Sequence, residues 1–87
     1  MKREIFWFII GSAAAILTMF AFLPQVAKII KTKSVKDISL FALLQFSLGI
    51  FFWMLYGIHL KDHIIIVANA ISLLIFLFAV ILYIKYR

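Results

Sequence analysis

Few side chains in the apolar body of this chain can do chemistry, and they are of three kinds. Trp53 lies within GIFFWMLYG (Gly49 to Gly57), Asn69 within IVANAIS (Ile66 to Ser72), and Pro24-Gln25 within FLPQVAKII (Phe22 to Ile30). An amide offers two donors and one acceptor oxygen without charge, and burying it without partners costs about 1–3 kcal/mol. Asn69 alone has two bland uses, a hydrogen bond between helices or a clamp that fixes an oligomer. Trp53 alone reads as packing or as an anchor at the membrane interface. Pro24 has no N–H to give, and its ring crowds the carbonyl of Phe20 one turn back. That carbonyl is expected to lose its helical partner, so the chain bends there more easily, with Gln25 able to answer part of the lost bonding. The other reading is a helix that ends at the proline. QVAKII (Gln25 to Ile30) is apolar enough to carry the helix onward, which favours a kink.

The absences narrow the function further. Glu4, Asp37 and Asp62 are the only carboxylates, and all lie at the ends of apolar stretches. Proton-coupled carriers usually keep one inside the membrane. There is no Ser-His-Asp set, phosphate-binding loop or cysteine. His59 and His63, in HLKDH, flank a turn and read as ordinary loop histidines rather than metal ligands. Neither an enzyme nor a bound metal or cofactor is expected.

The elements that must position these residues follow from charge spacing. Of the 87 residues, 68% are hydrophobic, more apolar surface than a domain of this length can bury in water. Ile5 to Ala27, Ile38 to Leu60 and Ile64 to Ile84 are uncharged runs of 23, 23 and 21 residues, the histidine at 59 aside. Each exceeds the roughly 20 residues that cross a bilayer core. The spacing predicts an all-α membrane protein, a single bundle with transmembrane helices at about 5–27, 38–60 and 64–84. The basic start and the alanines at 13–15 resemble a secretory leader, but the apolar run continues well past them, so the first stretch reads as a span. Asp37 is the expected N-cap of the second helix.

The net charge of +6 sorts by side of the membrane and is no signal for nucleic acid. Lys2, Arg3 and Lys61 fall on one side; Lys28, Lys31, Lys33, Lys36, Lys85 and Arg87 fall on the other. Three against six places the N-terminus outside and the C-terminus in the cytoplasm. The lysine-rich loop could also meet anionic lipid.

Helical spacing then assigns faces. Gly49, Trp53, Tyr56 and Gly57 form one stripe on the second span, continuing through Phe46 and Ala42. Asn69, Ser72 and Phe76 form another on the third, while Gly11, Ala15 and Thr18 make a small-residue ridge on the first. From the helix centres, Trp53 lies about 6 Å and Asn69 roughly 7–8 Å toward the outer side, whereas Pro24 lies about 12 Å toward the inner side. An amide and an indole in one layer suit a polyhydroxylated ligand: the amide exchanges hydrogen bonds with hydroxyls, and the indole lies against the C–H face of a sugar ring. Three helices leave little room for a solute, so a transporter built this way must assemble, most simply as a two-fold dimer.

Four features in order resemble the bacterial SemiSWEETs, half-size sugar transporters of the PQ-loop superfamily. They are Pro24-Gln25, TKSVKDIS (Thr32 to Ser39), GIFFWMLYG (Gly49 to Gly57) and Asn69 sixteen residues after Trp53. The resemblance covers essentially the whole chain. It implies a parallel homodimer of three-helix bundles, with the third helix packed between the other two. It also implies passive movement of mono- or disaccharides by alternating access across the cell's inner (plasma) membrane. By position, Trp53 and Asn69 would contact sugar, Pro24 and Gln25 would be the hinge, Tyr56 would lie toward the outer gate, and Phe46 and Ala42 toward the inner one. One departure stands out. Some relatives carry an arginine four residues after the tyrosine, where this chain has Leu60. Two other readings compete: a PQ-loop carrier of another small neutral metabolite or amino acid, and a small membrane subunit that packs or forms a pore without transporting. The uncharged pocket disfavours strongly charged substrates.

Overall fold

A computed structural model describes residues 2–87; Met1 lies outside the described residues. Four helices follow in order: α1 (Lys2–Met19), α2 (Leu23–Thr32), α3 (Leu40–Leu60) and α4 (His63–Tyr86). Because α1 and α2 run on as one stretch, three segments are long and apolar enough to cross a membrane: Lys2–Thr32, Leu40–Leu60 and His63–Tyr86. In lipid each backbone polar group must be satisfied within its own segment, which is why such runs are helical throughout.

The first span differs from the expected kinked helix at 5–27. It is interrupted at residues 20–22, upstream of Pro24, and the proline stands in the first turn of α2. There its missing N–H is no loss, because the first turn has no helical acceptors to meet. Phe20 is not orphaned either, for its carbonyl accepts from Leu23 N–H at 3.1 Å. Ala21 N–H turns to Thr18 O at 3.2 Å, so the junction is wound tighter than an α-helix. Just upstream, the Thr18 hydroxyl donates to Ala14 O at 2.9 Å, a back-bond that bends helices.

The caps also depart in one place from the sequence reading. Ser39, not Asp37, caps α3: its backbone is extended and its Oγ accepts from Ala42 N–H at 3.1 Å. Asp37 lies two residues too early, in the turn before it. Asp62 caps α4, accepting from Ile65 N–H at 3.2 Å. The short α3–α4 connection is held by two bonds closing the end of α3, Asp62 N–H to Gly57 O at 3.0 Å and Lys61 N–H to Ile58 O at 3.1 Å. Lys61 takes the left-handed conformation that this ending requires, φ 57°. Gly57 is buried against α4, and a Cβ there would sit 2.6 Å from Ile65 Cγ2. Only glycine lets the two helices approach this closely so near their turn.

The helices form a row. α4 lies between α3 on one side and α1–α2 on the other, and α1 does not touch α3. The Cα trace measures 50 × 23 × 14 Å. Three helices side by side, at about 9 Å between axes and roughly 5 Å of Cα diameter, span about 23 Å. The protein is therefore a row of helices centred on α4, with two broad faces and its buried core confined to one end.

Burial is one-sided along the long axis. Val26, Ile29, Val35, Leu43, Ala79 and Leu82 form the core where α2, the start of α3 and the end of α4 converge. No residue of α1 is buried. The apolar core thus knits the Lys28–Ser39 loop end, while at the other end only α3 and α4 pack closely, at Gly57, and α1 stands apart with no buried residue.

Candidate functional site

Trp53 and Asn69 line the same cavity, a concavity of about 570 Å³ on one face of the row. Its floor is α4, through Ile65, Ala68, Asn69 and Ser72. One wall is α1, where Trp7, Gly11, Ala15 and Thr18 present small residues below an indole. Trp53 of α3 forms the facing wall, and Asp62 stands at one end. A second concavity of about 360 Å³ shares Thr18, Asn69 and Ser72 and continues to Phe22, Phe46, Ile50 and Phe76. Together they make a groove following α4 from Asp62 to Phe76, about 21 Å at the α-helical rise. Asn69 lies at its midpoint.

Apart from Asp62 at its end, the polar chemistry of the groove is neutral. Asn69 Nδ2 donates to Ile65 O, one turn back on its own helix, at 2.8 Å. That bond orients the amide and uses one of its two N–H donors. Oδ1 accepts nothing within the described chain and is not buried, since every buried polar side-chain atom among the described residues has a partner. Asn69 therefore makes no hydrogen bond to a neighbouring helix in the protomer, and its free oxygen and second N–H remain open. Thr18 keeps its acceptor lone pairs, because only its hydrogen is committed to the α1 backbone. Trp53 is 57% exposed and meets Tyr56 edge to face, with ring centroids 5.8 Å apart. Its indole face is accordingly available.

At one end the groove is closed by aromatic rings. Phe22 and Phe76 stack at 4.7 Å, and Phe76 and Phe46 at 5.4 Å, joining the α1–α2 side, α4 and α3 across the row. Beyond this ladder lies the buried core. At the other end Asp62 is held by its capping bond at the α3–α4 turn.

The residues singled out from the sequence distribute unevenly. Trp53 and Asn69 come together; Tyr56 joins Trp53 on a separate exposed concavity with Gly49 and Phe52. Phe46 lies in the aromatic ladder. Ala42 sits in the first turn of α3 and lines neither part of the groove. Pro24 lines neither part, and exposed Gln25 faces a different cavity at the loop end. Gln25 makes no side-chain hydrogen bond among the described residues, so it does not answer the junction's freed groups as anticipated. Trp7 and Asp62 were not recognised as groove residues. No periodic signal gives the rotation of α1 about its axis, and Asp62 read only as a span end.

A row of membrane-spanning helices, with a mostly apolar groove that presents an amide, hydroxyls and two indoles, defines a small polytopic membrane protein with a solute-sized concavity. Comparison with known proteins supplies the family. Residues 8–87 match the family model described as "Sugar efflux transporter for intercellular exchange". The chain is similar to the sugar transporter SemiSWEET of Leptospira biflexa, 44% identical over 77 residues, 88% of each chain. It is similar to that of Bradyrhizobium diazoefficiens, 42% identical over 77% of this chain and 78% of that one. A crystal structure of a bacterial homologue of SWEET transporters superposes with a TM-score of 0.88 at 38% identity, covering 91% of this chain and 95% of the other. The chain belongs to the SemiSWEET family of sugar transporters; it is a membrane transport protein and not an enzyme.

Proposed function

We propose that the protein is a passive uniporter moving mono- or disaccharides by alternating access as a parallel homodimer. The observation that carries the reading is the shared cavity of Trp53 and Asn69, with the amide oxygen open and the indole face exposed. A ligand rich in hydroxyls matches both groups at once, and an anionic one would find no counter-charge in the groove, whose one charged group is Asp62 at the end. The open groove supports the dimer: one protomer leaves the cavity uncovered, and a second copy laid against the grooved face is the simplest way to surround a solute. Lack of a carboxylate within the uncharged runs supports movement down a gradient without proton coupling.

Within that scheme Trp53 and Asn69 bind the sugar. The junction at residues 20–22, followed by Pro24 and Gln25, is the hinge on which the lower part of the first span rocks. Tyr56 lies toward the outer gate, where Leu60 leaves closure to aromatic and apolar contacts. Phe46, together with Phe22 and Phe76, closes the inner side, with Ala42 below it. The charge asymmetry supports an N-terminus outside and a C-terminus in the cytoplasm, across the inner (plasma) membrane.

The test is counterflow of labelled glucose and sucrose into liposomes carrying the purified protein. Saturable exchange without an imposed proton gradient is expected. Dependence on a gradient would remove the passive mechanism; non-saturable leakage would indicate a pore, and no exchange of either sugar a different cargo.

A further inference from the structure

We propose that the cavity between the end of α2 and the α2–α3 loop binds the headgroup of an anionic phospholipid, a phosphodiester monoanion that also carries hydroxyls. The cavity has a volume of about 200 Å³ and lies apart from the sugar groove. A concavity of this size, open on one side, has room for a headgroup.

Its lining has two kinds of polar group. Lys28, from α2, and Lys36, from the loop, both face the cavity, and the chain between them is reversed by Lys33 in the left-handed conformation, φ 54°. Ser34 Oγ accepts from Lys36 N–H at 3.3 Å, which leaves its own hydrogen to donate. Two ammonium groups and a hydroxyl donor suit a phosphate oxygen. Beside them stand acceptors. Asp37 lines the same cavity, and Thr32, whose hydrogen is committed to Lys28 O at 2.8 Å, offers only lone pairs. Inorganic phosphate, partly a dianion near neutral pH, would meet Asp37 as a stronger like charge and brings only its own P–OH to these acceptors. A phosphodiester with a glycerol headgroup uses both sets: the lysines and Ser34 hold its phosphate, while Asp37 and Thr32 accept from its hydroxyls.

Position supports the same ligand. Lys28 is the first charge after the uncharged run ending at Ala27, so the cavity opens at headgroup depth. Buried Ile29 forms an apolar wall. This assignment is independent of what the groove transports.

Native mass spectrometry of the full chain in detergent tests it, with phosphatidylglycerol, phosphatidylcholine and inorganic phosphate as probes. Phosphatidylglycerol is expected to bind in preference to the other two. The double variant Lys28→Gln/Lys36→Gln is expected to weaken it by about 25- to 30-fold, roughly fivefold per lysine. Lys31→Gln/Lys33→Gln removes the same charge from the same helix end without touching the cavity lining, and is expected to weaken it far less. Ser34→Ala, which alters no charge, is expected to weaken it as well, and Asp37→Asn to shift preference toward inorganic phosphate. Equal losses in the two lysine pairs would replace the site with diffuse surface attraction. Phosphate binding as tightly as phosphatidylglycerol, or no preference over phosphatidylcholine, would also overturn the proposal.

Discussion

Replacing Asn69 with alanine separates a binding role from a packing role, and the structure sets both magnitudes. On the folding side the amide makes one bond, to Ile65 O at 2.8 Å. That carbonyl still has its helical backbone partner, so nothing is left unpaired when the side chain goes. The loss is at most an ordinary net hydrogen bond, about 0.5–1.5 kcal/mol, and alanine's better helix propensity returns about 0.7 kcal/mol. Stability and assembly should hardly change. On the binding side the free Oδ1 and second N–H can make two hydrogen bonds to sugar hydroxyls. At about 0.5–1.5 kcal/mol each, their loss is about 1–3 kcal/mol, or roughly 5- to 150-fold in sugar affinity. Initial exchange rates across a range of sugar concentrations in proteoliposomes measure the second quantity; thermal unfolding and size-exclusion profiles in detergent measure the first. A variant that unfolds or dissociates, or one that exchanges sugar as the parent does, would refute the assignment.

Three further outcomes are expected. Gly57→Ala should destabilise by about 1–3 kcal/mol through overpacking against Ile65, and adding Ile65→Ala should recover part of the loss in detergent melting curves. Ser39→Ala should lower stability by about 0.5–2 kcal/mol as a lost cap, with Asp37→Asn nearly neutral; the reverse order would return the cap to Asp37. Pro24→Ala offers a second donor to Phe20 O, already paired with Leu23 N–H, and should stiffen the junction without removing the break, slowing exchange while sparing apparent sugar affinity; an unchanged rate would count against a hinge.

What could be read in advance depended on how local its cause was. The spans were legible because charge-free runs of that length have one use, and the Trp53–Asn69 layer because a short turn ties two antiparallel helices to one depth scale. The family pattern was legible in Pro24-Gln25 and the residues around Trp53. The position of the break was not. It depends on the Thr18 back-bond and on Leu23 pairing with Phe20, which no residue preference announces. Ser39 displaced Asp37 because the cap belongs to whichever residue is extended at the helix start, a question of backbone register. Trp7 went unplaced because the rotation of α1 against α4 is set by packing that one sequence does not display. The row itself, with α4 in the middle and one face grooved, emerges only when all three helices are docked.

The claim at the centre of this account is that the indole and the amide form one sugar site. The chain's two tryptophans both line the groove, so a Trp7→Phe background leaves Trp53 as the sole indole reporter. Titrating sugar onto that protein should change Trp53 emission saturably, and Asn69→Ala in the same background should weaken the response by the factor found in transport. An emission that sugar does not alter, or a response unaffected by Asn69→Ala, would contradict it.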